Sequence, residues 1–413
     1  MNDAAPGSES AIAPRRAAFI FIFITVALDM LSLGMIMPVL PKLVENFMGG
    51  DTARAAEIFG VFGTAWALMQ FFFSPLLGAM SDSYGRRPVV LISNFGLGLD
   101  YVLMALAPNL WWLFVGRVIS GVSSATVAAS YAYVADVTPV EQRAAKFGMI
   151  GAAFGLGFVL GPALGGVLGT IDPRMPFWVA AALSLLNGLY GLFVLPESLP
   201  REKRMPFEWR RANPVGSLQL LRSHPELSGL AVSEFLAALA HVVLPSVWVL
   251  YAGYRYGWDE RAVGLSLALV GICSIVVQAG LVGPVVKALG ERRALMFGLA
   301  GGIAGFMAMG LAETGLVFSL GIPLLALWGI ANPAINGLMS RHVGPSEQGQ
   351  LQGANSSIQG IANLVGPFVF TLTFAWSIGG GKDAHIPGTV FILAAAILVG
   401  AGGIAWHATR LRN

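Results

Sequence analysis

Five ionisable residues stand inside long apolar runs, where charge is expensive: Asp29, Asp100, Arg117, Glu234 and His241. An unpaired carboxylate at the centre of a membrane span costs at least about 2.5 kcal/mol, so Asp29, midway along the first run, must face a protein interior or stay protonated. A carboxyl so placed can take up and release a proton as its access to water alternates. Asp100, in the third run, has the same chemistry nearer one end. Arg117 keeps its proton at any working pH, and a span holds it only against a carboxylate, backbone carbonyls or water. Asp29 or Asp100 is the expected partner, and a proton or substrate that displaces this bridge would make it a switch. Glu234 and His241 are seven residues apart, hence on one face of one helix, and together suit a second proton site. Each has a plainer alternative: a protonated Asp29 that only packs, an Arg117 bridge that only ties helices, a Glu234 solvated at a mouth.

The elements that must hold these groups follow from composition. Of 413 residues, 56% are hydrophobic and 11% charged, with a mean hydropathy of +0.71, whereas soluble domains carry about 25% charged residues. Apolar runs of roughly 20 residues, each able to cross about 30 Å of hydrocarbon, recur from end to end. They are continuous rather than alternating, which makes them helices and excludes a barrel. The expected spans are 18–41, 57–79, 88–107, 110–135, 145–168, 174–195, 227–253, 260–288, 292–312, 316–341, 348–374 and 386–409. The fold expected is an all-α membrane protein with twelve transmembrane helices. A polar start, MNDAAPGSES, and Asp29 within the first run argue against a cleaved signal peptide. Cys273 is the one cysteine, so neither a disulfide framework nor a cysteine metal site is expected.

Between the second and third runs lies an intensely polar stretch, GAMSDSYGRRPV, from Gly78 to Val89. Gly78 and Gly85 permit a tight reversal, Pro88 starts the next helix, and Asp82 stands four residues before Arg86. Arg86 and Arg87, with Arg143, Lys146, Arg204, Arg210, Arg211, Arg292 and Arg293, fall on one side; Lys42, Arg54, Arg174, Arg255, Arg261 and Lys382 fall on the other. The richer side is cytoplasmic by the positive-inside rule, which puts both termini inside and leaves nucleic-acid binding unnecessary. The 196–226 segment, rich in Pro, Arg, Lys and Glu, divides the chain into a tail (1–17), a six-helix bundle (18–195), a cytoplasmic linker (196–226) and a second six-helix bundle (227–409).

A repeat supports that division. Gly283, Gly290 and Arg292 follow Gly78, Gly85 and Arg87 by 205 residues, and the same offset carries Gly161 and Pro162 onto Gly366 and Pro367, and Asp29 onto Glu234. Duplicated halves with a site between them near the midplane are a known plan for secondary transporters. In the repeat, Lys287 stands for Asp82 and Glu291 for Arg86, so the two loops carry reversed charges.

On these motifs the chain resembles the major facilitator superfamily. GAMSDSYGRRP matches its loop signature, LFVGRVISG and GFVLGPALGG match two further signatures, the last associated with drug/proton antiporters, and VALDMLSLGMIMPVLP, YAYVADVTPVEQRAAKFG and QGQLQG read like the tetracycline/proton antiporters. The resemblance implies two pseudo-symmetric bundles and a proton-coupled antiporter exporting small amphipathic compounds by alternating access. It also implies function for the acids at Asp29 and Asp100, and an inner gate made by Gly78, Asp82, Gly85, Arg86, Arg87 and Asp136. The strip Gly157, Gly161, Pro162, Gly165 and Gly166 is expected to pack against the other half and limit leak. A pocket is expected to be lined by Gln70, Gln278, Asn332, Asn355, Gln359 and Trp248, with Asn336 and Asn363 as further polar positions.

The implied setting is the bacterial inner membrane, with protons, lipid and a small-molecule substrate as partners, a monomer, and the proton gradient in place of any cofactor or metal. Two departures bear on cargo. Cys273 stands where the tetracycline transporters have a histidine, and Gly302 where they have an aspartate, which puts a magnesium–tetracycline substrate in doubt. A symporter or facilitator importing a metabolite would share the loop signature without needing GPALGG. A membrane enzyme is disfavoured by the lack of HExxH, GxSxG and P-loop patterns, and a non-transporting receptor would not need Asp29 and Arg117 within spans.

Overall fold

In the computed structural model the described residues are 9–410, apart from 124–125, 208, 210–212, 214–215, 219, 222–223, 225–226, 344–346 and 380–385. Arg210, Arg211, Lys382 and residues 1–8 of the expected tail therefore lie outside them. The first half comprises α1 (Glu9–Ile36), α2 (Leu40–Phe47), α3 (Thr52–Tyr84), α4 (Arg86–Leu106), α5 (Leu110–Ser123), α6 (Thr126–Val137), α7 (Val140–Ile171) and α8 (Met175–Val194). The second comprises α9 (Ser228–His241), α10 (Val243–Tyr256), α11 (Glu260–Val276), α12 (Val282–Gly310), α13 (Gly315–Ala326), α14 (Ala331–Ser340), α15 (Gln348–Gly379) and α16 (Thr389–Arg410).

These make twelve passes. Among the described residues, ten helical stretches are long and apolar enough to cross a membrane. One of them, Glu260–Gly310, is 51 residues long and turns back at Gly290, and the shorter α5 with α6 after it accounts for another pass. Proline explains most of the breaks, because it offers no N–H and its ring clashes with the carbonyl four residues earlier. Pro38 and Pro41 part α1 from α2, and Pro245 parts α9 from α10 just after His241. Pro284 follows a π turn at Val277–Leu281, and Pro333 follows a 3-10 turn at Leu327–Ile330.

The pairing of helices repeats between halves. α4 packs on α8 and α1 on α8 in the first; α12 packs on α16 and α9 on α16 in the second. Likewise α4–α5 recurs as α12–α13. The two halves meet along α3 with α15 and α7 with α11. This is the architecture the sequence predicts: two pseudo-symmetric six-pass bundles.

The seam between halves is tight towards one face. Towards the face away from the linker, a Cβ on Gly60 would strike Thr371, one on Gly63 would sit 3.0 Å from Pro367, and one on Gly166 would strike the carbonyl oxygen of Glu260. Lys42 closes the same face against Gly253. Towards the linker face, Gly78, Gly151, Gly280 and Gly283 have nothing within 4 Å of a built Cβ. Close approach of the halves is thus concentrated towards the far face, and the cavity between them borders Asn213 of the linker.

Candidate functional site

The first half holds one buried charge centre. Asp29 on α1, Asp100 on α4 and Arg117 on α5 are all buried, Asp100 to 1% exposure. Gly116 makes room for the carboxylate: a Cβ there would lie 2.8 Å from Asp100 Oδ1. Asp100 and Arg117 act on one another electrostatically, and both acids reach the buried Tyr101. The expected contact bridge between Asp100 and Arg117 is not formed, however. Neither oxygen of Asp100 has a hydrogen-bond partner among the described residues, while Arg117 Nη2 donates to Ser120 Oγ on its own helix at 3.2 Å. Asp100 and Arg117 thus act on one another through the field rather than by contact. Nor does Asp100 sit close to water, because α4 packs between α5 and α8.

The loop network assembles at the linker face, entirely within the first half and the start of the linker. Gly85 has φ 112°, a left-handed value that lets α3 end and α4 begin without a connecting loop. Arg86, 11% exposed, pairs with Asp82 at the end of α3 and with Asp136 at the end of α6, Nε to Oδ2 at 3.0 Å. Arg87 Nη2 donates to the carbonyl of Leu192 on α8 at 2.6 Å. Two partners were not anticipated. Glu197 accepts the N–H of Arg86 at 2.9 Å and pairs with Arg204 at 3.7 Å, and Ser198 Oγ donates to Asp136 at 3.0 Å. A carboxylate immediately after the sixth span was the available signal.

The repeat holds a reversed copy of this centre. Gly290 has φ 73° and ψ 161°, close in kind to Gly85 at ψ 157°. Glu291 and Arg341 stand 205 residues after Arg86 and Asp136, and they pair at 2.9 Å. The reversed signs at Lys287 and Glu291 are legible in the sequence, and Arg341 supplies the matching partner.

The glycine strip of α7 does not pack only against the other half, as expected. Glycines four apart share one face, and Gly157, Gly161 and Gly165 use theirs to admit α1: a Cβ on Gly161 would lie 2.7 Å from Gly34 Cα, and one on Gly165 would strike the carbonyl oxygen of Met35. Gly166 faces α11 instead, against Gly264 and Glu260; Pro162 turns its carbonyl oxygen towards Gly264 while its ring stays beside Gly34 of α1. The strip ties helices within one half, and its neighbouring face makes the seam.

Two cavities open from the seam. One, of about 780 Å³, lies between the halves and is lined by Gln70, Phe71, Asn332, Asn336, Asn355, Gln359 and Asn363, with Asn213 of the linker at its edge. Its amides form a chain: Asn355 Nδ2 donates to Asn336 Oδ1 and Asn336 Nδ2 to Asn332 Oδ1, both at 2.6 Å. The other, of about 520 Å³, lies within the second half and is lined by Glu234, His241, Ser274, Gln278, Trp328 and Asn332. Glu234, Asn332 and Gln359 border both.

Trp248 lines neither cavity. It is 1% exposed, donates from Nε1 to Ser266 Oγ at 3.0 Å and packs edge-on against Phe318, a core residue of the second half. Its periodicity is that of a helix face, which does not tell core from cavity. Trp328 is the tryptophan that faces the space, with its ring centroid 5.5 Å from that of His241. It also covers Gly302, where a Cβ would lie 3.0 Å from the indole; an aspartate at 302 would have to displace it.

Known proteins agree with this arrangement. The family model "Major Facilitator Superfamily" matches residues 22–367. The chain is 40% identical over 361 residues to the class C tetracycline resistance protein of Escherichia coli, covering 87% of this chain and 90% of that one. It is 38% identical over 365 residues to the class G protein of Vibrio anguillarum, covering 88% and 92%. The crystal structure of the nucleoside transporter NupG superposes with a TM-score of 0.76 over 95% of this chain and 99% of that one; at 14% identity this likeness is one of fold. The chain belongs to the major facilitator superfamily.

Proposed function

We propose that this protein is a proton-coupled antiporter that exports small amphipathic compounds across the bacterial inner membrane by alternating access. The linker face is cytoplasmic in this reading, since the basic residues gather there, and both termini lie inside. The proton gradient supplies the energy with no cofactor, and a monomer suffices.

The observation that carries the reading is the separation of two kinds of site. Asp29, Asp100 and Arg117 form a buried charge centre in the first half, away from the cavities, while the space large enough for cargo lies along the seam and in the second half. A carboxyl that exchanges a proton with water on alternate faces can drive the swing between halves without touching cargo. Export also suits the kinship with tetracycline resistance proteins. Magnesium–tetracycline is disfavoured as cargo because Trp328 fills the room beside Gly302 and Cys273 replaces the histidine.

Proton-driven uptake into inverted vesicles tests this. Asp29→Asn is expected to abolish uptake driven by a pH gradient while leaving expression and membrane insertion intact. Wild-type uptake in that variant removes Asp29 from coupling, and absence of drug uptake by the unaltered chain overturns the exporter.

A further inference from the structure

The cavity of the second half has an electrostatic sign of its own. Glu234 is the single acidic group among its described lining residues, and no lysine or arginine lines it or the cavity between the halves. No charged side chain acts on Glu234, and its Oε2 finds no hydrogen-bond donor among the described residues. His241 shares the helix face, but seven residues at 1.5 Å each put it about 10 Å further along the axis, beyond contact. The pair is therefore divided between the two ends of one cavity rather than joined in one proton site. The rest of the wall mixes apolar side chains, among them Leu244, Val270, Leu295 and Leu299, with the uncharged polar Ser274, Gln278 and Asn332, and it includes the indole of Trp328.

A carboxylate facing a large space, with no cation of the protein's own, is balanced by a cation that the ligand brings. An indole face favours the same sign of charge. A bare metal ion is a poor occupant: a hard cation of the calcium kind takes about six to eight oxygens at close range, and here one carboxylate and scattered amides border an oversized volume. We infer that this cavity is a cargo subsite for amphipathic organic cations, with Glu234 taking the positive head and Trp328 and the leucines taking the apolar body. Because Glu234 also borders the cavity between the halves, cargo entering from that cavity meets the carboxylate first and slides past it. The assignment rests on the exporter reading and names its cargo class.

The test is equilibrium dialysis of the purified full chain in detergent against tetraphenylphosphonium, with tetraphenylborate as an anion of the same shape. Saturable binding of the cation and none of the anion is expected. Glu234→Gln should weaken that binding roughly tenfold or more, as loss of one partner of a desolvated charge pair does. Glu234→Asp, which keeps the charge, should retain most of it, and both variants are compared as monodisperse material. Trp328→Leu should weaken it by about fivefold to thirtyfold, the scale of one cation–aromatic contact. Equal binding of the two ions, or wild-type binding by Glu234→Gln, overturns the subsite. Proton-driven export by a chain whose binding ignores charge would sink the subsite alone; charge-selective binding at Glu234 without proton-driven export would sink the exporter and keep the subsite.

Discussion

The two loops at the linker face are copies with opposite polarity. In the first half an arginine on the later helix of the hairpin, Arg86, reaches back to Asp82 and across to Asp136. In the second half a glutamate, Glu291, reaches across to Arg341 from the corresponding place. The backbone is the same at both, a glycine in a left-handed conformation between two helices. Their surroundings differ. Arg86 is 11% exposed and its counterpart Glu291 19%, but Asp136 is 22% exposed and its counterpart Arg341 70%. A shared backbone has thus been kept while one copy became a shielded multi-way junction and the other a pair with one partner largely in solvent. The first has the energetics of a structural lock and the second of an adjustable contact.

That contrast sets an order of effects. Arg86→Ala removes one cation from two carboxylates and leaves Asp82, Asp136 and Glu197 facing each other; transport is expected to fall by more than about tenfold, a loss typical of stripping the partner from shielded charges. Efflux assays at matched expression measure it, and retention of most activity would make the two loops equivalent. Next comes the backbone. Gly85→Ala should destabilise by about 1–3 kcal/mol, since a side chain is strained at φ 112° and would also strike the Glu197 carboxylate. Gly290→Ala has the strain without the collision, so its melting point in detergent should drop less. An equal drop would mean that Glu197 does not enclose the first loop. Smallest is Arg341→Ala: a pair whose cation is 70% exposed contributes about 0–1 kcal/mol, and thermal stability should stay within that range. A large loss there would show that the second loop is a lock as well.

Much of this was legible in the sequence because it is local or periodic. The twelve passes follow from apolar run length, the halves from the 205-residue offset, and the burial of Asp29, Asp100 and Arg117 from the cost of charge in a span. What was not legible depends on which neighbour a face meets. The glycines of α7 announce close approach, but nothing in their spacing says that α1 rather than α11 is admitted. Trp248 and Trp328 are alike in composition and context, yet one is core and the other faces a cavity. Glu197 looked like part of a solvated linker because its partner lies 111 positions away in the chain. Arg341 could have been found by carrying Asp136 across the repeat.

The prolines of the second half carry a consequence for hydration. Pro245, Pro284 and Pro333 each follow by four residues a position on or beside the cavity wall, namely His241, Gly280 and Gly329. Each thereby withdraws the N–H that a regular helix would give to that carbonyl. Three main-chain oxygens on separate helices are thus released from helical pairing around one space, and water is the natural partner for them. The wall of this cavity is therefore expected to be hydrated and pliable. Backbone amides around this cavity should exchange with deuterium well before those around Asp100, and the cavity should reshape to cargo of different outline without any change in the helices of the first half.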